Sequence, residues 1–228
     1  MRIAALNWHG FDFIELSAEA TPGPSAEDQA QEIFARFGHA LEAHGLGLAD
    51  TVRSRLFARD RAARDAASNI RAAVLSGPAR AATSSYIAPK VIPSNALVAM
   101  DLIALRRKPG MDKVIRENEP PRTPSRYLTC GPLLVLSGQT AVLPSLEIQV
   151  TTDILPRITD YLAEAKSGWD KVIQVSCYMH ESQSVERLRA LFRKMVPIEP
   201  PRFEVRFVEG YSAEGKLVEI EVTALRRI

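Results

Sequence analysis

The segment DLIALRRK, residues 101–108, returns near the end of the chain as EVTALRRI, residues 221–228. The shared Ala-Leu-Arg-Arg lies at positions 104–107 and again at 224–227, an offset of 120 residues. Self-similarity at a fixed spacing is the signature of a duplicated structural unit. The sequence therefore predicts that one domain occurs twice in tandem.

Three further pairs of segments recur in the same order at nearly the same spacing. They are Pro-Ala-Arg80 with Pro-Pro-Arg202, TVRSRLFARD from Thr51 with VIQVSCYMHE from Val172, and Leu16-Ser17-Ala18-Glu19 with Leu136-Ser137-Gly138-Gln139. Any one pair has little weight by itself, but four in one order favour a duplication. We interpret residues 1–107 and 126–228 as the two domains, and the proline-rich, charged residues 108–125 as a linker.

Each half has the same predicted order of elements. An extended segment is followed by a helix with apolar residues at intervals of three and four, an alternating strand, a second helix and two more extended segments. Helices between strands on a short mixed sheet predict an α+β fold with two helices on one face. The other sheet face is amphipathic, as at Arg53, Arg55, Phe57 and Arg59. We expect it to pack in a homo-oligomer, although a solvated face is the alternative.

Composition excludes several classes of function. The 29 basic and 27 acidic side chains leave a net charge of +2, too balanced for a protein that must bind nucleic acid. Cys130 and Cys177 lie far apart, and neither they nor the four histidines form a metal-ligand motif. We expect no metal, no cofactor and no disulfide. Because no apolar run is long enough for a signal peptide or a membrane span, we also expect a cytoplasmic protein with no membrane partner.

Three short motifs in the second half resemble those of the Rid family, also called YjgF or L-PSP, the reactive-intermediate imine and enamine deaminases. They are Ser137-Gly138-Gln139, Pro200-x-Arg202 and Val218-Glu219-Ile220-Glu221. The resemblance implies a chorismate-mutase-like fold for each half and pockets between neighbouring subunits. Most members are trimers of single domains; for this tandem chain we expect a trimer or a dimer.

The reaction implied by the resemblance is the hydrolysis of an enamine or imine acid, such as 2-aminoacrylate, to a 2-keto acid and ammonia. Arg202 would clamp the substrate carboxylate through a two-pronged contact. Glu219 would orient water or transfer protons, with Glu221 as the alternative on the same strand face. Gly138 and Ser137 would contact the substrate, and Tyr127 would form an aromatic wall.

Each of these residues also has a purely structural interpretation. Arg202 could be a surface salt-bridge partner, and Glu219 an exposed strand residue. Gly138 could serve only as a strand bulge. The two cysteines fit small packing residues better than nucleophiles, since no activating base lies near them in sequence.

The first half departs from the family pattern. Aligned on the repeated Ala-Leu-Arg-Arg, the position of Glu219 is Ala99, that of Gly138 is Ala18 and that of the glutamine is Glu19. Arg80 is retained, so a second, binding-only site would consist of Arg80, Ser84 and Asp101, with Arg55 and Arg59 adding positive potential. Alternatively, this half is structural, or its residues complete a site of the second half.

Two other functions remain alternatives to a deaminase. One is a non-catalytic protein that binds small metabolites or regulates a partner. The other is an endoribonuclease of the L-PSP type, although aromatic residues make up only 7% of the chain and form no basic, aromatic patch.

Overall fold

The computed structural model describes residues 1–227, in two compact units, Met1–Gly110 and Met111–Ile228. The division lies inside the segment interpreted as a linker. Residues Lys113–Arg116 of that segment form a strand of the second sheet. The linker prediction was therefore too long, because proline and charge content do not exclude a short strand at a sheet edge.

The first unit is a five-stranded mixed sheet with two helices. Its strands follow the order β1-β2-β5-β3-β4, and only the β3–β4 pair is parallel. In chain order the elements are β1 Arg2–Trp8, β2 Phe11–Glu19, α1 Ala26–Ala43, β3 Thr51–Ala58, α2 Arg61–Val74, β4 Ala82–Ile87 and β5 Val98–Arg106.

The second unit repeats this plan with a seven-stranded sheet, ordered β11-β10-β12-β8-β7-β6, in which β9 also pairs with β12. No helix in the described part of the chain is long and apolar enough to cross a membrane. The elements are β6 Lys113–Arg116, β7 Tyr127–Cys130, β8 Leu133–Leu136, β9 Gln139–Thr140, α3 Leu146–Ile148, a π-helical segment Gln149–Ile154, α4 Leu155–Glu164, β10 Val172–His180, α5 Val185–Met195, β11 Phe203–Val208 and β12 Val218–Leu225.

The core of the second unit lies between its helices and one face of the sheet. Alternate residues of the central strands point into it, among them Val175, Cys177, Ile220 and Val222, which are almost fully buried. The helices contribute their apolar stripe: Ile154, Leu155, Ile158, Leu162, Leu188 and Phe192. Residues between these positions on β10 and β12 point to the opposite face, so this face carries Tyr178, Glu219 and Glu221.

A buried glutamine repeats in both units and was not recognised in the sequence. The Gln149 amide donates to the Leu143 carbonyl at 2.8 Å and the Gly215 carbonyl at 2.6 Å, and its oxygen accepts from Leu217 N at 2.9 Å. Gln29 makes the corresponding bonds to the Gly23 carbonyl and Leu97 N, 120 residues earlier. Matching hydrogen bonds at the same offset support the duplication independently of the motifs.

The offset between the units increases by one residue inside the π-helical segment. At its first residue, Gln149 corresponds to Gln29, at an offset of 120. After it, Leu46 N bonds to the Leu41 carbonyl as Ser167 N bonds to the Leu162 carbonyl, at an offset of 121. Since a π-turn holds one more residue than an α-turn, the insertion is absorbed within the helix of the second unit.

Both cysteines are buried, so we expect neither to react with a thiol reagent at pH 8 in the folded protein. Burial, and next the negative charge of Glu221, raise the pKa of the Cys177 thiol. The folded state therefore keeps a proton that the unfolded chain loses above about pH 8.5, and stability contributed by Cys177 should fall as the pH rises beyond that. Thiol titration should detect both groups only after addition of denaturant. Fast labelling of Cys177 without denaturant would contradict its burial.

Candidate functional site

Two carboxylates lie on the face of β12 that points away from the core. Glu219 is 6% exposed and Glu221 is 1% exposed. In the strand register Glu219 lies opposite Tyr178, and Glu221 opposite Ser176. Because charged side chains are rarely so buried without a specific role, this strand face is the starting point for the site.

A one-residue bulge lies beside these carboxylates. Strand β12 pairs with β8 up to Thr223–Val135 and with β9 from Ile220–Gln139. In the first unit the equivalent strand β2 runs without interruption. The paired residues leave one residue between Leu16 and Ala18 but two between Leu136 and Gln139. Ala18 therefore corresponds to Gln139, and the predicted match of Gly138 with Ala18 was wrong, because ungapped matching cannot see an inserted residue.

Gly138 lies directly against the carboxylate of Glu219. A Cβ on Gly138 would come within 2.0 Å of Glu219 Oε1, 2.6 Å of Cδ and 2.8 Å of Cγ. No side chain fits beside Glu219 in this position. The alternative interpretation of Gly138 as a bulge is therefore correct as a description of the backbone, and the bulge also makes room for an acidic group.

Tyr211 lies close to the same carboxylate and is almost fully buried. Its hydroxyl donates to the Tyr178 carbonyl at 2.9 Å. Burial is the main cause that raises the pKa of Tyr211, and the negative charge of Glu219 raises it further. The phenol thus stays protonated near neutral pH and holds the loop before β12 against β10.

Gly138 also lines a cavity of about 350 Å³, whose lining does not include Glu219. Gly138, Gln139 and Thr140 form part of its wall. Its remaining lining comes from the segment before β7, the loop after β9, helix α4 and the loop before β12, namely residues 118, 122–126, 141, 142, 157, 161, 212 and 216. The volume is near the lower end of the range for small-molecule sites.

Three of the residues predicted to contact substrate, Tyr127, Ser137 and Arg202, do not line this cavity. Tyr127 lies in the hydrophobic core, where burial, and next the negative charge of Glu164, raise its pKa. Ser137 is fully buried, its N–H donates to the Arg126 carbonyl at 3.1 Å, and its carbonyl accepts from Gln139 Nε2 at 2.8 Å. The aromatic side chain in the cavity wall is instead Tyr161, whose ring centroid lies 6.1 Å from that of Tyr127.

Arg202 directly precedes the edge strand β11, away from Glu219 of the same unit. Its Nε donates to Glu204 Oε1 at 2.6 Å, and its side chain is 51% exposed. Arg206, four residues later, lies opposite Tyr178, which lies opposite Glu219. Arg202 and Glu219 are therefore separated by two strand spacings across the sheet and by four residues along the strand direction. This places their Cα atoms about 16 Å apart. Glu219 is turned toward Gly138 and Arg202 toward Glu204, so the two side chains do not converge within this unit.

The register corrects the assignments made for the first unit. Ala99 lies opposite Phe57 as Glu219 lies opposite Tyr178, so this unit does have alanine at the acid position. Arg80 does not correspond to Arg202, however. Ser54 is the equivalent of Val175. Thr83 lies opposite Ser54 and Phe203 lies opposite Val175, so Thr83 corresponds to Phe203. The preceding residue, Ala82, therefore takes the Arg202 position.

The other candidate residues of the first unit have structural contacts. Arg59 donates to three backbone carbonyls of the 92–96 loop, so its guanidinium is directed to that loop. The Ser84 carbonyl accepts from Arg71 at 2.5 Å. Asp101, half-buried, lies opposite Arg55 in the strand register. The register places Ser84 and Asp101 on either side of Arg55, and a binding site that also includes Arg80 stays a prediction.

The cationic residues of the cavity were missed in the sequence. They are scattered between residues 122 and 216, so no local motif marks them. Arg157 has a partial signal, since Arg36 and Arg157 occupy equivalent helical positions. Arg36 donates to the Glu19 carbonyl and pairs with Glu32, and Arg157 donates to the Thr140 carbonyl and pairs with Asp153. Comparison of the two helices with a one-residue gap would have found it.

Residues 117–226 match the family model described as endoribonuclease L-PSP. This half of the chain belongs to the Rid family. The match covers the bulge, Glu219, Arg202 and the whole cavity wall, all of which therefore lie in a Rid domain. At the level that the family supports, the Rid domain is of a small-molecule deaminase or endoribonuclease-like type.

One solved structure shares this fold. A chorismatase structure aligns with 96% of this chain and 78% of its own chain, at 13% identity and a TM-score of 0.66, which shows a shared fold. A YjgF-family protein from Mycobacterium tuberculosis is 25% identical over 50% of this chain and 99% of its own, with a TM-score of 0.42. One from Neisseria meningitidis is 23% identical over 52% and 98%, with a TM-score of 0.43. A search of curated proteins gave no match.

Proposed function

We propose that the Rid domain hydrolyses small reactive enamine or imine acids, such as 2-aminoacrylate, to a 2-keto acid and ammonia. The observation that supports this most strongly is the contact of the buried Glu219 carboxylate with the Gly138 bulge. A carboxylate held against Gly138, a residue that also lines a cavity of ligand size, suits the handling of a water molecule or a proton. Glu219 is favoured over Glu221 because it is the one in contact with Gly138.

The chemistry needs one acid–base group and no oxidant. An enamine first takes a proton on carbon and becomes the imine. Water then adds to the C=N carbon, with Glu219 accepting a proton from the water and returning it to the nitrogen. When the C–N bond breaks, the proton of the new hydroxyl passes through Glu219 to the leaving nitrogen, so ammonia leaves and the carbon becomes the keto group. Each step moves protons between water, Glu219 and substrate, which is general acid–base catalysis.

The carboxylate clamp is assigned to Arg202, but of a different subunit. The Cα atoms of Arg202 and Glu219 in one Rid domain are about 16 Å apart, as estimated from strand spacing. We therefore assign the two residues to different pockets. The family resemblance implies pockets between neighbouring subunits, and the exposed Arg202 lies directly before the edge strand β11, where a neighbour can reach it. We therefore propose a homo-oligomer in which Arg202 of one copy faces Glu219 of another.

The experiment is a turnover assay that uses mixed subunits. The substrate, 2-aminoacrylate, is generated in the assay, and the rate of pyruvate release is measured. The proteins compared are wild type, Arg202→Ala, Glu219→Gln and oligomers assembled from both variants together. Each variant alone should be nearly inactive. The mixture should regain activity, because some pockets combine an intact Arg202 with an intact Glu219.

Arg193→Ala is the matched control, because Arg193 is an exposed arginine on helix α5 of the same domain. It should keep wild-type activity. No acceleration by the wild type would reject 2-aminoacrylate as a substrate of a deaminase, and keto-acid binding without turnover would support a binding protein instead. If the mixture of subunits that exchange freely stays inactive, the shared pocket is rejected.

A further inference from the structure

The cavity beside Gly138 is lined by four cationic side chains. They come from three separate parts of the Rid domain: Arg122 and Arg126 before β7, Arg157 on α4 and Lys216 before β12. Among the described residues that line it, none is acidic. Several basic groups converging on a cavity create a positive potential and favour a negatively charged occupant.

Two of these cations are fixed in place by neighbours. Arg157 pairs with Asp153 and donates to the Thr140 carbonyl at 2.9 Å. Arg126 Nη1 lies 3.4 Å from Glu164 Oε2, and Arg116 Nε lies 2.6 Å from the other carboxylate oxygen, Glu164 Oε1. One carboxylate is therefore shared between two guanidinium groups, so Arg126 is only partly neutralised. Guanidinium groups held in this way are ordered before a ligand arrives, which lowers the entropy cost of binding.

Lys216 has no basic counterpart in the first unit. Leu97 N and Leu217 N bond to equivalent glutamines, so Lys216 corresponds to Ala96, which is fully buried. The Lys216 ammonium donates to the Ser212 hydroxyl, another residue of the cavity wall. The lysine is thus a feature of the same unit that carries Glu219 and Gly138.

We infer that the substrate handled beside Glu219 carries a second anionic group, a carboxylate or a phosphoryl group, which binds in this cavity. The inference rests on the proposed function, because it extends the substrate of the same site. Arg202, to which the first carboxylate is assigned, does not line the cavity. Gly138 joins the two places, since it forms part of the cavity wall and contacts Glu219. A dianionic acid, larger than 2-aminoacrylate, would therefore fill the cavity while its reacting carbon lies near Glu219.

Calorimetric binding of three stable acids to the full chain tests this. Pyruvate has one carboxylate, 2-oxoglutarate has two, and phosphoenolpyruvate has a carboxylate and a phosphoryl group. Both dianions, or one of them, should bind at least about tenfold more tightly than pyruvate. The tighter of the two identifies the second group. The Arg122→Gln/Lys216→Gln double variant should lose about tenfold in dianion affinity and change pyruvate affinity by less than about twofold.

Lys171→Gln/Lys194→Gln is the matched control, since it also removes two positive charges, but at exposed positions outside the cavity. It should retain the dianion preference. Equal affinity for pyruvate and both dianions would overturn the inference, as would an equal loss of pyruvate and dianion binding in the Arg122→Gln/Lys216→Gln variant. The dianion preference should persist in Glu219→Gln. A protein that prefers dianions but releases no keto acid would reject the proposed function alone.

Discussion

Replacing Gly138 with alanine is expected to lower kcat/KM for 2-aminoacrylate about as much as Glu219→Gln, by a factor of about 10²–10³. The reason is steric. The new Cβ would lie 2.0–2.8 Å from Oε1, Cδ and Cγ of Glu219, and such separations are far below van der Waals contact. Because a glutamate side chain can rotate away, the fold should persist while the carboxylate leaves its position. The measurement is keto-acid release under matched conditions.

The double variant Gly138→Ala/Glu219→Gln sharpens this prediction. If Gly138 acts only by making room for Glu219, the double variant should be no less active than either single variant, since both remove the same function. Gly38→Ala is the control, because Gly38 lies in helix α1 with no atom near its Cβ position. It should leave activity unchanged. Full activity of Gly138→Ala would show that Glu219 has no catalytic role in its present position.

Replacing Gln149 with leucine is expected to lower the free energy of unfolding by about 3–5 kcal/mol. The change leaves the carbonyls of Leu143 and Gly215 and the N–H of Leu217 without their partner. Each buried polar group that loses its partner costs about 1–3 kcal/mol. Leucine has a similar volume, so packing contributes little to the loss. Urea unfolding of both proteins, with the slopes compared, measures the effect.

Gln183→Leu is the matched control, because the Gln183 amide donates only near the surface, to the Ser182 hydroxyl at 2.9 Å. Its effect should stay within about 0.5 kcal/mol. A loss below about 1 kcal/mol for Gln149→Leu would contradict the role of this glutamine in holding the loops at residues 143 and 215. These loops also carry part of the cavity wall, so dianion binding should weaken in Gln149→Leu even below its unfolding transition.

The order of elements in both units could be predicted from the sequence. Apolar periodicity identified helices α1 and α4 and strand β10, because a buried helix face and a buried strand face each impose a fixed spacing. The repeated Ala-Leu-Arg-Arg placed β5 and β12 as equivalent strands, which correctly gave Ala99 as the counterpart of Glu219. Short edge strands were harder, and β6 was taken for linker because one paired edge leaves little hydrophobic pattern.

The sequence by itself determined the duplication, the α+β class and the strand that carries Glu219, since all three follow from local patterns. Only the tertiary structure decided what lies beside Glu219. The extra residue at Gly138 and the extra residue in the π-helical segment are invisible to ungapped matching, and register is set by hydrogen bonding between strands distant in sequence. The separation of Arg202 from Glu219, and the convergence of Arg122, Arg157 and Lys216 on one cavity, likewise depend on contacts between distant segments. Such contacts produce no regular spacing of residues in the sequence, so no local pattern predicts them.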